Sequence, residues 1–296
     1  MSMIGPEKSQ LRVLVAEDNP VNQMFAARLI ERQGHSAHVV ANGQLAIDAM
    51  LNEDFDVVLM DISMPVKNGY EAVQQLREWE QITGSHIRVI AVTANVSELD
   101  RVRCIAAGMD GFVSKPIKAL ELAEEIDRVF REGICKSQIN ERECQYETKA
   151  DSKSVCDLPA ALKRLNDDEC FFQQLAQLFL DTVPEQLKSL RTSVENSNGQ
   201  LTSDLAHSVK GSVRHFFAAS AYDAAQRLEF VGQSGNCSAM KETIAELVDE
   251  IEYLRMAMLG SFPDLHCSGS SVNRKEIRHA SRLFPCRRNS AAAFAS

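Results

Sequence analysis

A chain of 296 residues, 45% hydrophobic and 25% charged, is long enough for two modest folded units with linkers. Its formal net charge of -9 argues against nucleic acid as a ligand of the whole protein, because phosphate contacts require a basic face. No run approaches the roughly 20 apolar residues a bilayer span demands, and the N-terminal MSMIGPEKSQ lacks a signal peptide's apolar core, so the expected location is the cytoplasm.

Residues 1–10 are an N-terminal extension. Leu11 to Ala16 reads as an apolar strand running into Glu17, Asp18 and Asn19, and Pro20 opens a helix through about Gln33. Ser36 to Val40 is a second strand and Gly43 to Leu51 a helix. Asp56 to Met60 is a buried strand that ends on Asp61, followed by a Pro and an Asn-Gly turn signal before the helix Gly69 to Ile82. Ile87 to Val92, Ser97 to Ala107, Asp110 to Ser114 and Ile117 to Arg131 complete five strands and five helices. Such alternation over residues 11–131 predicts an α/β, doubly wound, five-stranded parallel sheet.

Residues 132–156 are polar and lose the periodicity, as a linker does. From Asp157 to about residue 260 helix follows helix, which predicts an all-α bundle. Leu158, Ala161, Leu162 and Leu165 begin it. Phe171, Phe172, Leu175, Leu178, Phe179 and Val183 form an apolar stripe, and Pro184 starts or kinks a further segment. A helix follows over about Gln200 to Phe217, then Ala221 to Gly232 and Ser238 to Leu259. The tail, residues 261–296, is Ser-rich and then basic, a composition that favours disorder; lacking interleaved aromatics, it gives no case for nucleic-acid binding. The eight cysteines, at 104, 135, 144, 156, 170, 237, 267 and 286, form no CxxC pair and support neither a zinc site nor a disulfide framework.

In an open parallel sheet, ligands bind beyond the carboxyl ends of the strands, near the switch point. With strand order 2-1-3-4-5, Glu17, Asp18 and Asp61 converge there, and Thr93 and Lys115 approach from strands four and five. Three carboxylates in one pocket repel one another unless a cation is present, and a hard divalent ion such as Mg²⁺ resolves the conflict. Asp61 can then act as a nucleophile toward a phosphoryl group whose charge Mg²⁺, Lys115 and Thr93 neutralise. Singly, an acid at a strand end is more often a turn former or cap, and either Asp18 or Asn19 suits the cap of the helix at Pro20. The joint pattern decides.

That pattern, LVAEDN, DVVLMDISMPVKNG, AVTAN and FVSKP, resembles a response-regulator receiver domain of flavodoxin-like fold over residues 11–131. The resemblance implies Glu17 and Asp18 as metal-binding acids and Asp61 as both metal ligand and phosphoacceptor. It also implies Thr93 as switch hydroxyl, Lys115 as phosphate-binding lysine, Phe112 as switch aromatic, the Ser63 carbonyl as a metal ligand, and a cis peptide between Lys115 and Pro116.

On the helix of about residues 200–217, Leu201, Leu205, Val209, Val213 and Phe216 line one side. His207 then falls nearly opposite them, with Asp204, Lys210, Gly211 and Arg214 on the exposed face. A surface histidine commonly has no task. AHSVKGS, Ala206 to Ser212, nevertheless resembles the histidine-containing phosphotransfer domain over about Asp157 to Leu259. The resemblance implies His207 as the phosphorylated residue, supported by Lys210 and Gly211, although relatives carry small residues at Val213 and Phe217, often Gly at the latter.

The reading is a two-component phosphorelay protein without an ATP-binding module and not a turnover enzyme. Its implied partners are a sensor histidine kinase and a further response regulator or phosphotransfer protein. Alternatives are a phosphorylation-gated docking module with His207 idle, a phosphatase using the same acidic pocket, or the C-terminal fragment of a hybrid sensor histidine kinase.

Overall fold

The computed structural model describes residues 10–94, 98–131, 156–165, 167–262 and Leu265. The chain divides into two compact units, Met1–Lys149 and Ala150–Ser296. The expected extension, linker and tail lie, but for Gln10, Cys156, Ser261, Phe262 and Leu265, outside the described residues.

The first unit runs β1 (Arg12–Ala16), α1 (Pro20–Arg32), β2 (Ser36–Val40), α2 (Gly43–Asn52), β3 (Val57–Asp61), α3 (Gly69–Thr83), β4 (Arg88–Thr93), α4 (Glu98–Ala106), β5 (Gly111–Ser114) and α5 (Ala119–Arg131). All strand pairs are parallel, in the order β2-β1-β3-β4-β5. The central position of β3 accounts for its unbroken apolar run: it pairs on both edges and every residue is buried. Edge strand β2 stays partly exposed throughout. Asp61 belongs to β3 itself, opposite Val92, so the ladder fixes its backbone.

Side chains set the helix starts. Asn19, not Asp18, caps α1, its Oδ1 accepting from the backbone N–H of Val21 at 2.9 Å and Asn22 at 3.3 Å. Asn68 and Glu71 form a capping box at α3. Helix α5 begins at Ala119 instead of Ile117, Lys118 supplying the first accepting carbonyl to Leu122 N–H at 2.9 Å.

The second unit comprises α6 (Leu158–Arg164), α7 (Glu169–Glu195), α8 (Gly199–Arg214), α9 (Ala219–Ser234) and α10 (Cys237–Ser261). Contacts of α7 with α8, α8 with α9, α9 with α10 and α10 with α7 close a four-helix bundle. Its centre holds Phe172, Phe179 and Phe216, with the Phe172 and Phe216 rings edge to face at 5.9 Å. Pro184 does not start a new helix: α7 runs through it, because Leu180 and Val183 before it and Leu190 and Val194 after it are buried in one core. Helices α8 and α9 approach closely at Gly199 and Gly232. A Cβ on Gly232 would stand 2.8 Å from both the Gly199 carbonyl oxygen and the Ser203 nitrogen. One turn beyond that crossing, α9 presents Glu229 to α8.

Candidate functional site

The carboxyl ends of β1 and β3 bring three acids together. One oxygen from each of Glu17, Asp18 and Asp61 lies within 4.8 Å of the others. Lys115, just after β5, reaches across with its Nζ 2.6 Å from Asp61 Oδ2 and 2.8 Å from Glu17 Oε2. The other oxygens are held too: Asn22 Nδ2 donates to Glu17 Oε1 at 2.7 Å, and Ser63 N–H to Asp61 Oδ1 at 3.2 Å. Thr93 is buried at the end of β4 beside Ser114, and its carbonyl accepts from Lys115 N–H at 2.7 Å. The Lys115–Pro116 peptide is cis. Gly69 seals the floor, for a Cβ there would stand 2.3 Å from the Asp61 carbonyl oxygen.

Phe112 is partly buried, two residues before Ser114, with the Arg101 guanidinium 4.5 Å from its ring centroid. Ser63 is exposed two residues after Asp61.

The electrostatics follow from this crowding. Burial pushes the Asp61 carboxyl up to about 7 against the pull of Lys115, and Glu17 and Asp18 add to the push. Burial alone would lower the Lys115 ammonium, but Asp61 and Glu17 beside it carry it above the ordinary lysine value. An all-oxygen donor set with more negative charge than one ammonium offsets suits a hard divalent cation. Glu17, Asp18 and Asp61 are the residues that would hold Mg²⁺.

The second constellation lies on α8 and α9, and part of the expected exposed face is covered. His207 is partly buried, its side chain 20% exposed, and Lys210 is buried. Leu201, expected in the apolar stripe, is exposed instead. The cause is that both α7 and α9 pack on α8, so its buried arc is wider than the stripe and takes in Thr202, Ser203, Ala206 and Ser212. Gly211 and Arg214 are partly exposed and Asp204 fully so. Phe217 has φ 53, a left-handed conformation that glycine adopts without cost.

Glu229 of α9 was not singled out by sequence reasoning. Its Oε1 lies 2.7 Å from His207 Nδ1, and its Oε2 accepts from Lys210 Nζ. Burial would raise the Glu229 carboxyl, yet hydrogen bonds from His207 and Lys210 hold it below the ordinary value. An ionised carboxylate only accepts, so Nδ1 carries a ring hydrogen, and in the neutral ring this tautomer puts the lone pair on Nε2. The available sequence signal was an acid bordering the apolar stripe Ala221, Ala224, Ala225 and Leu228.

Five parallel strands with three acids and a lysine at their carboxyl ends define a receiver domain, and residues 13–127 match the response regulator receiver domain model. Residues 174–257 match the Hpt domain model. The chain thus carries a receiver domain followed by an Hpt domain, the arrangement of the C-terminal ends of hybrid histidine kinases.

Among relatives, the sensor protein GacS of Pseudomonas syringae pv. syringae is 35% identical over 126 residues, covering 42% of this chain and 14% of that protein. The sensory/regulatory protein RpfC of Xanthomonas campestris pv. campestris is 27% identical over 204 residues, 68% of this chain and 28% of that one. The chain thus spans well under two thirds of these relatives. A crystal structure of the receiver domain of a Pseudomonas aeruginosa sensor histidine kinase, with magnesium coordinated in its active-site cleft, is 34% identical and superposes with TM-score 0.38, over 42% of this chain and 99% of that one.

Proposed function

We propose that the chain is a phosphorelay intermediate: Asp61 accepts a phosphoryl group, and His207 exchanges one with an aspartate of a receiver. The observation that carries this reading is the buried Asp61 carboxylate, within 4.8 Å of two further acids and 2.6 Å from the Lys115 ammonium. Asp61 Oδ attacks phosphorus as the donor's bond to it breaks, N–P for a phosphohistidine and O–P for acetyl phosphate, giving an acyl phosphate. Bound Mg²⁺ would supply charge neutralisation for the phosphoryl oxygens. Lys115 then follows the phosphoryl group from the carboxylate, and the Thr93 hydroxyl donates to it. At His207 the Nε2 lone pair attacks, the N–P bond forms, and the aspartyl carboxylate leaves. The Nδ1 hydrogen stays on the ring, facing Glu229.

Because the Asp61 carboxyl is held up to about 7, protons and metal compete for it. Apparent Mg²⁺ affinity in titration calorimetry is expected to rise by about thirtyfold from pH 5.5 to pH 8, with about a twofold part of that gain above pH 7. A flat profile contradicts the assignment.

The implied partners are a sensor histidine kinase and a further response regulator or phosphotransfer protein, met in the cytoplasm. Among the described residues no helix is long and apolar enough to cross a membrane. Incubation of the chain with radiolabelled acetyl phosphate and Mg²⁺ tests the proposal. Alkali-labile label on the peptide containing Asp61, lost with EDTA, is the expected result; label that EDTA leaves in place, or none, overturns it.

A further inference from the structure

The two carboxylate oxygens of Glu17 have different partners. Oε2 shares the Lys115 ammonium with Asp61, at 2.8 Å and 2.6 Å respectively, and so faces the cluster of acids. Oε1 instead accepts from the Asn22 side-chain amide at 2.7 Å and, at 3.3 Å, from the Asn19 backbone N–H. A carboxylate oxygen only accepts, so the nitrogen end of the Asn22 amide is the one turned to it.

Asn22 acts on the Glu17 side chain alone, because the Glu17 backbone is fixed by other groups. Its N–H donates to the Val40 carbonyl at 3.1 Å, and its carbonyl accepts from Gln23 Nε2 at 2.6 Å. The Asn19 cap starts α1 at Pro20, which puts residue 22 in the first turn, beside the acids that follow β1. Loss of the Asn22 amide therefore leaves the main chain of Glu17 in place and frees one oxygen.

That oxygen matters to the choice of cation. With Oε1 engaged, Glu17 has one oxygen left to offer a metal. Mg²⁺ demands a near-ideal octahedron at about 2.0–2.1 Å, which the narrow bite of a carboxylate binding through both oxygens fits poorly. Ca²⁺ gathers about six to eight oxygens at about 2.3–2.6 Å, and carboxylates that bind through both oxygens help it to do so.

We propose that Asn22 is a specificity-determining residue for the metal of the phosphoryl-accepting site: by holding Glu17 Oε1 it limits Glu17 to one ligating oxygen and favours Mg²⁺ over Ca²⁺. Asn22 is a positioning residue, since it works through Glu17. This inference rests on the proposed function, and it adds how the chain discriminates between two hard divalent ions.

The test compares full-length chains by titration calorimetry with MgCl2 and, separately, CaCl2 at pH 8, above the Asp61 value of about 7. Asn22→Leu removes the donor at similar volume and suits a helix, and Asn22→Gln keeps an amide donor on a longer stem. The parent is expected to bind Mg²⁺ more tightly than Ca²⁺. In the Leu variant the ratio of Mg²⁺ to Ca²⁺ affinity is expected to fall about tenfold. Mg²⁺ binding weakens there because Glu17 is no longer oriented, whereas for Ca²⁺ the freed oxygen makes up the loss. The Gln variant is expected to stay within about threefold of the parent ratio. Asn22→Ala, which also lacks the donor and favours a helix, carries the same expectation as Leu and decides the matter if the Leu variant does not fold.

An unchanged ratio overturns the proposal, whether both affinities hold or both fall together, because a merely structural role moves the two ions alike. A Gln variant as shifted toward Ca²⁺ as the Leu variant overturns it too, since the donor is then not what discriminates. So does a parent chain that prefers Ca²⁺. A parent chain that binds neither ion defeats the proposed function, and this inference with it.

Discussion

Asp61→Asn is expected to abolish phosphoryl uptake by the first unit and, at the same time, to stabilise that unit without metal above pH 7. The first effect is chemical: an amide oxygen is no nucleophile, and no other carboxylate replaces it, because Glu17 Oε1 is held by Asn22 and Oε2 by Lys115. Labelling with acetyl phosphate falls by more than about a thousandfold, while His207 still accepts label from a loaded receiver.

The second effect follows from linkage. Asp61 titrates near 3.8 in the unfolded chain and is raised to about 7 in the fold. Its favourable contribution is therefore complete below about pH 4 and is lost as pH rises through 7. Asn has no charge to bury beside Glu17 and Asp18, so the variant lacks this loss. Urea unfolding in EDTA at pH 5 and pH 8 isolates it as the difference between the two proteins. We expect the variant to gain about 1–3 kcal/mol relative to the parent between those pH values. Equal slopes with pH mean that Asp61 is already ionised at pH 5 and that Lys115 outweighs its burial.

The acids of the first site were legible because backbone topology alone places them. Parallel strands deliver the residues after their carboxyl ends to one edge, so Glu17, Asp18, Asp61, Thr93 and Lys115 need only the strand order to converge. The unbroken apolar run of β3 marks an interior strand, and the rest of the order came with the resemblance to a receiver domain. Features that depend on a second element were not legible. A helical projection of α8 sees only its own apolar stripe, and so placed Lys210 in solvent. Burial of Lys210 depends on Glu229, which the Gly199–Gly232 approach brings alongside. The positive φ of 70 at Val66 is invisible for a similar reason, since the chain around it is held by Gly43 N–H on Lys67 O and Gly69 N–H on Ile62 O against the preference of the residue itself.

The largest effect expected outside the first site is that of Glu229→Ala. One carboxylate answers two donors, the His207 Nδ1–H and the Lys210 ammonium, and the lysine is only 8% exposed. Removing it leaves a nearly buried cation without its acceptor, and we expect a loss of about 1–3 kcal/mol, discounted from the figure for a fully buried pair because His207 and Glu229 retain some solvent. The same change frees the imidazole to rotate and to place its hydrogen on either nitrogen. Phosphotransfer through Nε2 is then expected to slow on the order of a hundredfold, and ¹⁵N spectra to show a mixed tautomer where the parent shows hydrogen on Nδ1. Glu229→Gln separates the two tasks. Its amide oxygen still accepts from Nδ1, so the tautomer and most of the rate survive, whereas the charge that holds Lys210 is gone. Because Glu229 titrates below its ordinary 4.5 in the fold, the stability it contributes is present above that value and lost as pH falls through the lower one. The gap in stability between parent and Gln variant is therefore expected to persist at neutral pH and to narrow as the solution is acidified below 4.5. A Gln variant as slow and as tautomerically mixed as the Ala variant shows that the charge, and not the hydrogen bond to the ring, orients His207.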